Sequence, residues 1–383
     1  MKYFWLTLVI GIISLTGIFK RLVLNLDKNP PKITNAVHIN EDRSLKNAFK
    51  NDFYIGVALN AAQIEGRDSI SDHFIPHQFN SITPENIMKC EVIHPAWSVY
   101  HFELADKYVA YGIKNKMFIV GHTLIWHSQL SPFVKSIKTP DSLRLFMTNH
   151  IKTVVGRYAG KVNSWDVVNE ALNEDGTLRK SIFLDELGKD YIQLAFELAA
   201  KSAPKAELYY NDYNIEQPAK RAGAIALIKK LKARGCRVDG VGIQAHWSIN
   251  NLSLKEIENS IIEYAALGVK VSFTELDLTC LPNPWDLKGS DVNQQFDNNR
   301  EMDPYPNGLP DSVQTRLADC YADLIKLFLK YKDKIERVTF WGVNDGESWL
   351  NNWPIHGRTN YPLLFDRNFN PKPAFNKVMA LAD

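Results

Sequence analysis

The stretch SWDVVNEALNEDG, Ser164 to Gly176, begins as a buried strand and ends on groups that a buried strand does not need. Trp165 and the β-branched pair Val167 and Val168 suit a pleated, packed surface. Asn169 and Glu170 follow directly, so a carboxylate stands where the strand stops, at the rim of whatever the strand helps to build. The Asn-Glu-Asp-Gly run behind them reads as a turn.

Reading outward, amphipathic helical patterns flank this strand at Ser142–Tyr158 and Asp185–Ser202, with further strand-like runs beyond them at Met117–Gly121 and Glu207–Asn211. Strand, helix, strand in this order predicts parallel strands joined by helical crossovers. The alternation extends through the chain from residue 50. Strands are expected at Tyr54–Leu59, Ser81–Thr83, Gly240–Gln244, Val269–Thr274 and Val338–Val343, and helices at Gln217–Arg234, Leu254–Leu267 and Ser312–Tyr331. Eight β/α repeats predict the α/β class and a closed (β/α)8 TIM barrel. A single domain over residues 44–383 is expected, with no repeat and no appended module. The loop Leu281–Pro310, rich in Pro, Asn, Asp and Gly, is too long for an ordinary connection and should overhang the C-terminal face of the barrel.

The 383-residue chain is 45% hydrophobic, ample for one large core. Lys and Arg total 45 against 43 acidic residues, a net charge of +2. That near balance offers no field for nucleic acid or an anionic membrane surface, so a neutral partner is expected. Residues 1–21 hold an apolar run, Tyr3 to Phe19, between Lys2 and Lys20-Arg21. This reads as a signal peptide or an N-terminal membrane anchor, and its length suits either. Export follows in both cases: the protein is expected to be secreted, periplasmic or tethered to a membrane through residues 3–19. Residues 22–43, with Asn29-Pro30-Pro31, read as a linker. Cys90, Cys236, Cys280 and Cys320 are scattered, without pairs or His clusters at zinc-like spacing, so neither a metal site nor a cofactor is expected. One disulfide is permitted in an exported chain, and the sequence selects no pairing.

The strand ends carry the chemistry. Strand two runs into Glu85, Asn86 and Lys89; strand three into His122, Trp126 and Gln129; strand four into Asn169 and Glu170. Strand five leads to Tyr213, strand six to Gln244 and His246, strand seven to Glu275 and Asp277, and strand eight to Trp341 and Trp349. Taken singly, each of these reads better as a structural or solvated residue. Delivered by seven strands to one rim, they read as a site. Glu170 and Glu275 end strands that face each other across the ring. Two carboxyls over a barrel mouth without metal ligands suit cleavage of a glycosidic bond, one protonating the leaving oxygen and the other attacking or stabilising the anomeric carbon. Tryptophan faces with amides, carboxylates and a lysine around them suit the two sides of a pyranose ring. Glu174 and Glu91 read as solvated or structural charges.

Seven blocks in order carry a resemblance: TPENIMK (Thr83–Lys89), GHTLIWHSQ (Gly121–Gln129), WDVVNEA (Trp165–Ala171), YYNDYN (Tyr209–Asn214), GVGIQAHW (Gly240–Trp247), FTELD (Phe273–Asp277) and FWGVNDGESWL (Phe340–Leu350). From about Ala48 to Leu381 the chain resembles the family 10 glycoside hydrolases, the retaining endo-β-1,4-xylanases. The resemblance implies that Glu170 is the acid/base and Glu275 the nucleophile. It implies that His246 and Asp277 tune that nucleophile, and that Asn169 contacts the sugar 2-hydroxyl. Glu85, Asn86, Lys89, His122, Trp126, Gln129, Gln244, Trp341 and Trp349 match positions on the glycone side, and Tyr213 an aglycone-side stacking position. Its implied partners are xylan and xylo-oligosaccharides, and a monomer is expected. The carboxyl separation implied by retention is about 5 to 5.5 Å.

Two features depart from the family pattern. The Leu281–Pro310 insertion puts chain-length preference and the endo/exo balance in question, and Cys90 stands where many relatives carry a bulky aromatic. Another retaining β-glycosidase on the same barrel, such as an endoglucanase or β-1,3-glucanase, and a silent saccharide-binding protein remain the alternatives.

Overall fold

The computed structural model describes residues 43–382. The readings of residues 1–21 as a signal or anchor, and of nearly all of the 22–43 linker, lie outside the described residues. No helix of the described residues is long and apolar enough to cross a membrane.

Ten strands form one parallel sheet, and two of these are short extras, Ile125–Trp126 and His246–Ser248. The remaining eight are β1 (Tyr54–Leu59), β2 (Ser81–Pro84), β3 (Phe118–Gly121), β4 (Ser164–Asn169), β5 (Glu207–Asp212), β6 (Gly240–Ile243), β7 (Lys270–Thr279) and β8 (Ile335–Phe340). Each pairs with the next, and β8 also pairs with β1 through Tyr54↔Arg337 to Val57↔Phe340, which closes the ring. Closure leaves no free edge among these strands.

Helices follow the strands because their apolar residues recur on one face. In Leu254–Ala265 the buried residues Ile257, Ile261 and Tyr264 lie four and three positions apart, and the Ser253 hydroxyl accepts the Glu256 N–H at the N-terminus. Burying each such side chain contributes about 2 kcal/mol. Pro140 opens Pro140–Arg157 in the first turn, where its missing N–H costs nothing, and the Thr139 hydroxyl accepts the Ser142 N–H.

The structure corrects three boundaries. Strand eight, expected at Val338–Val343, starts three residues earlier and ends at Phe340. Its early half hides behind a charge: Arg337 is 1% exposed, with its guanidinium 5.3 Å and 5.5 Å from the centroids of the Phe118 and Tyr209 rings. Gly342, at φ +136°, then turns the chain out of the strand direction. Strand seven runs on to Thr279, so Glu275 lies inside β7 rather than after it. The expected helix Asp185–Ser202 is two helices, Ile182–Leu187 and Tyr191–Ser202, parted at Gly188 with φ +65°. All four cysteines are free thiols. The Leu281–Pro310 insertion does overhang the barrel mouth, and it carries a short turn of helix at Arg300–Met302.

Candidate active site

Two backbone outliers aim the central groups. Glu170 follows the last residue of β4 with φ +57°, while its N–H bonds the Asn211 carbonyl of β5 at 2.9 Å. Ala245, at φ +67°, turns the chain between Gln244 and His246. A non-glycine residue in the left-handed region costs on the order of 1 kcal/mol or more and persists where a site uses the direction it gives. Glu275 and Asp277, two apart in β7, share one face. The short strand His246–Ser248 lies alongside and sets His246 opposite Asp277.

One amide network joins the two carboxyls. The Asn169 side chain donates to Glu170 Oε1 at 3.1 Å, and its carbonyl oxygen accepts from Asn211 at 2.9 Å. The same Asn211 amide nitrogen donates to Glu275 Oε1 at 2.9 Å, while Thr274 holds the Asn211 carbonyl oxygen at 2.6 Å. Gln244 donates to Glu170 Oε1 at 3.0 Å and the Trp126 indole N–H to Oε2 at 2.8 Å. On the other oxygen of Glu275, His246 Nε2 stands 3.2 Å from Oε2, and its Nδ1 stands 3.0 Å from Asp277 Oδ1. The Trp349 indole donates to Asp277 Oδ2 at 2.8 Å. Every oxygen of the three carboxylates therefore has a partner, which fixes their orientation.

The family description "Glycosyl hydrolase family 10" matches residues 44–381. The chain is 44% identical over 343 residues to endo-1,4-beta-xylanase A of Xylanibacter ruminicola, covering 88% of this chain and 93% of that one. A GH10 endoxylanase retrieved from a sugarcane soil metagenome superposes with a TM-score of 0.84 at 44% identity, covering 89% of this chain and 99% of the other. A mutant structure in complex with xylotriose gives 0.78 at 35% identity, covering 88% and 99%. The chain belongs to glycosyl hydrolase family 10.

In this family 10 barrel the two carboxyls are driven apart in acidity. Burial pushes Glu170 above its ordinary 4.5, against the hydrogen bonds from Gln244 and Trp126 and the charge of Arg179, while Glu275 adds to the rise. Burial also works to raise Glu275, but the His246 hydrogen bond, the charges of His122 and His246 and the Asn211 amide outweigh it and hold this carboxyl below 4.5. His246 itself meets the opposite balance: burial lowers it, yet Asp277 and Glu275 carry it up to about 10. One acid protonated and one ionised at the same pH is the division of labour that acid catalysis plus nucleophilic attack needs.

Every residue expected at the site except Asp277 and Tyr213 lines one cavity of about 470 Å³. Lys89 donates to Asn86 at 2.9 Å and to Gln129 at 3.0 Å, and sits 4.9 Å from the centroid of the Trp126 ring. Burial lowers the Lys89 ammonium against the pull of Glu275, Glu85 and Glu170, and burial raises Glu85. His122 faces Asp166 at 2.9 Å, and Trp341 stands edge-on to both His122 and His246. Asp277 lies behind His246 and opens on a neighbouring cavity.

Tyr213 is placed differently from an open stacking position. It is 2% exposed, with the Lys220 ammonium 3.6 Å from its ring centroid and its hydroxyl accepting from Arg179. Other groups that brace or line the cavity were not among the expected site residues. Asn211 lay in plain view in the YYNDYN block, but nothing local reveals that one amide would reach two strands. Trp353, stacked on Trp349 at 4.5 Å, and Asn352 line the cavity from a loop without strand pattern. Glu91, read as a structural or solvated charge, also lines it while accepting from Gln129 at 2.9 Å.

Replacing His246 tests the balance of acidities. In wild type the acidic limb of kcat/KM should follow ionisation of Glu275 and the alkaline limb loss of the Glu170 proton. His246→Asn removes the leading influence that outweighs burial at Glu275. That carboxyl then keeps its proton to higher pH, and the acidic limb moves up while the alkaline limb holds. At pH 5 the loss in kcat/KM should be about 10- to 100-fold, the value of one charge-assisted hydrogen bond. A uniform loss with an unmoved acidic limb would assign His246 a merely structural part.

Proposed function

We propose that this family 10 hydrolase cuts internal β-1,4-xylosidic linkages of xylan by double displacement. The observation that carries the proposal is the pair Glu170 and Glu275, held in one cavity by shared amides and shifted in opposite directions. Glu275 attacks the anomeric carbon from one side as Glu170 gives its proton to the departing oxygen. A glycosyl ester on Glu275 results. Glu170, now ionised, takes a proton from water, which attacks the anomeric carbon and displaces the Glu275 carboxylate, restoring both carboxyls with net retention of configuration. Asn169, bonded to both Glu170 and Asn211, offers its amide to the sugar 2-hydroxyl, and His246 with Asp277 keeps Glu275 oriented and anionic.

On the glycone side, Glu85, Asn86, Lys89 and Gln129 bind hydroxyls in pairs, while Trp341, Trp349 and Trp126 offer apolar ring faces and edges. The names of the relatives support xylan over other β-glycans. Rates on xylan, carboxymethylcellulose and laminarin check the choice: xylan should be hydrolysed and the two glucans not. Activity confined to either glucan would overturn it. The catalytic domain is assigned to residues 44–383, preceded by an export signal or anchor within 1–21, and the secreted or tethered alternatives are told apart by sequencing the N-terminus of the mature protein.

A further inference from the structure

Beyond the end of β7 the insertion folds into a small finger. The Gln294 side-chain amide donates to the Lys288 carbonyl at 2.7 Å, and its oxygen accepts the Lys288 N–H at 2.9 Å, so the two feet of residues 289–293 are tied together. Behind the finger, Phe296 bonds the Pro354 carbonyl at 3.0 Å and anchors the base to the loop after β8. The tip lies over the opposite rim. Asp291 pairs with Arg179, in the loop after β4, at 3.2 Å, and Asn293 accepts from Ser128, beyond β3, at 3.4 Å. Gly289, at φ +59°, packs so closely on the ring of Tyr213 after β5 that any side chain there would run into it.

The finger thus crosses the mouth to Arg179 and Tyr213, while Ser290, Val292 and Asn293 line the catalytic cavity whose other residues include Glu85, Asn86 and Lys89 after β2 and Trp341 after β8. Ser290 borders two spaces at once: the catalytic cavity, and a second cavity of about 480 Å³ lined by Asn214, Gln217, Trp247, Asn251 and Trp285. Trp285, on the same insertion, is 95% exposed. A polymer lying across Glu170 and Glu275 from the β2–β8 side would have to pass where Gly289 and Ser290 stand.

We propose that residues Gly289–Asn293 occupy the aglycone half of the cleft and select against long aglycones, so that this finger sets the endo/exo balance. The proposal rests on the glycosidase reading of Glu170 and Glu275. The fastenings of the tip are one part-buried ion pair and one long hydrogen bond, weak enough to be displaced by a chain that gains contacts in the second cavity. Short aglycones leave the finger in place; long ones must lift it, and that work appears as a lower kcat/KM for polymers.

The test uses the full chain, a variant with Gly289–Asn293 replaced by Gly-Gly, and Asp291→Ala, each assayed on nitrophenyl β-xylobioside and on xylohexaose. The shortened variant should raise the xylohexaose-to-aryl ratio of kcat/KM by about tenfold and move cleavage toward the middle of the chain, with Asp291→Ala shifting both in the same direction by less. An unchanged ratio and cleavage pattern in both variants, with aryl activity intact, overturns the finger's role. If the shortened variant loses aryl activity through misfolding, Asp291→Ala decides by the same ratio. Failure of the parent chain on the aryl substrate overturns the glycosidase reading and this proposal with it.

Discussion

Glu275→Ala is expected to abolish hydrolysis of xylan and to leave oligosaccharide binding. Glu275 Oε1 is held by Asn211 and Oε2 by His246, and Asp277, two residues on in the same strand, lies behind His246 with one oxygen on that ring and the other on Trp349. Removing the attacking carboxylate therefore gives an expected loss in kcat of about 10⁴-fold or more. Binding rests on other groups. Glu85, Asn86, Lys89 and the tryptophans stay in place, and calorimetry with xylotriose should give an affinity within about tenfold of the parent. A residual rate within about 100-fold of the parent would place the nucleophile elsewhere.

Glu170→Ala should separate substrates by leaving group. A xylosyl alkoxide departs only with a proton, so xylan hydrolysis falls by about 10² to 10⁴-fold, the usual contribution of general acid catalysis. A nitrophenolate departs without one. Formation of the ester from nitrophenyl β-xylobioside is then largely spared, while its hydrolysis lacks a base, and a burst of nitrophenol should precede a slow steady state. Azide, which attacks without general-base help, should restore turnover and yield a β-xylobiosyl azide. The alkaline limb of the pH profile should vanish, since the group that must stay protonated is gone. Equal losses on both substrates, without burst or azide rescue, would remove Glu170 from the proton-transfer role.

Much of this site was legible because barrel strands end abruptly. In a strand such as Ser164–Asn169 the apolar pair Val167 and Val168 gives way to Asn169 and Glu170 at the rim, although Ser164 and Asp166 are buried earlier in the same strand. That rule located Glu170, Gln244, Trp341 and their neighbours without any contact information. For Glu275 it named the residue but misplaced the strand end: Glu275 sits mid-strand in β7, which runs on to Thr279 beside the short strand at His246–Ser248. It failed for the start of β8 because Arg337 breaks the apolar run, although its charge is spread over two aromatic faces inside the ring. Trp353 lies in a loop with no periodicity to read, and its stacking on Trp349 exists only once the chain has turned back.

The sequence by itself determined the barrel and its order of strands and put forward the two carboxyls, since each follows from periodicity and from where an apolar run stops. Only the tertiary structure decided which of those carboxyls keeps its proton, that Asn211 bridges them, and that Tyr213 is covered by the insertion. The physical reason is range: a hydrophobic period is set by the few residues that carry it, whereas desolvation, hydrogen-bond partnership and steric cover are set by groups that come from distant parts of the chain and meet when the ring closes.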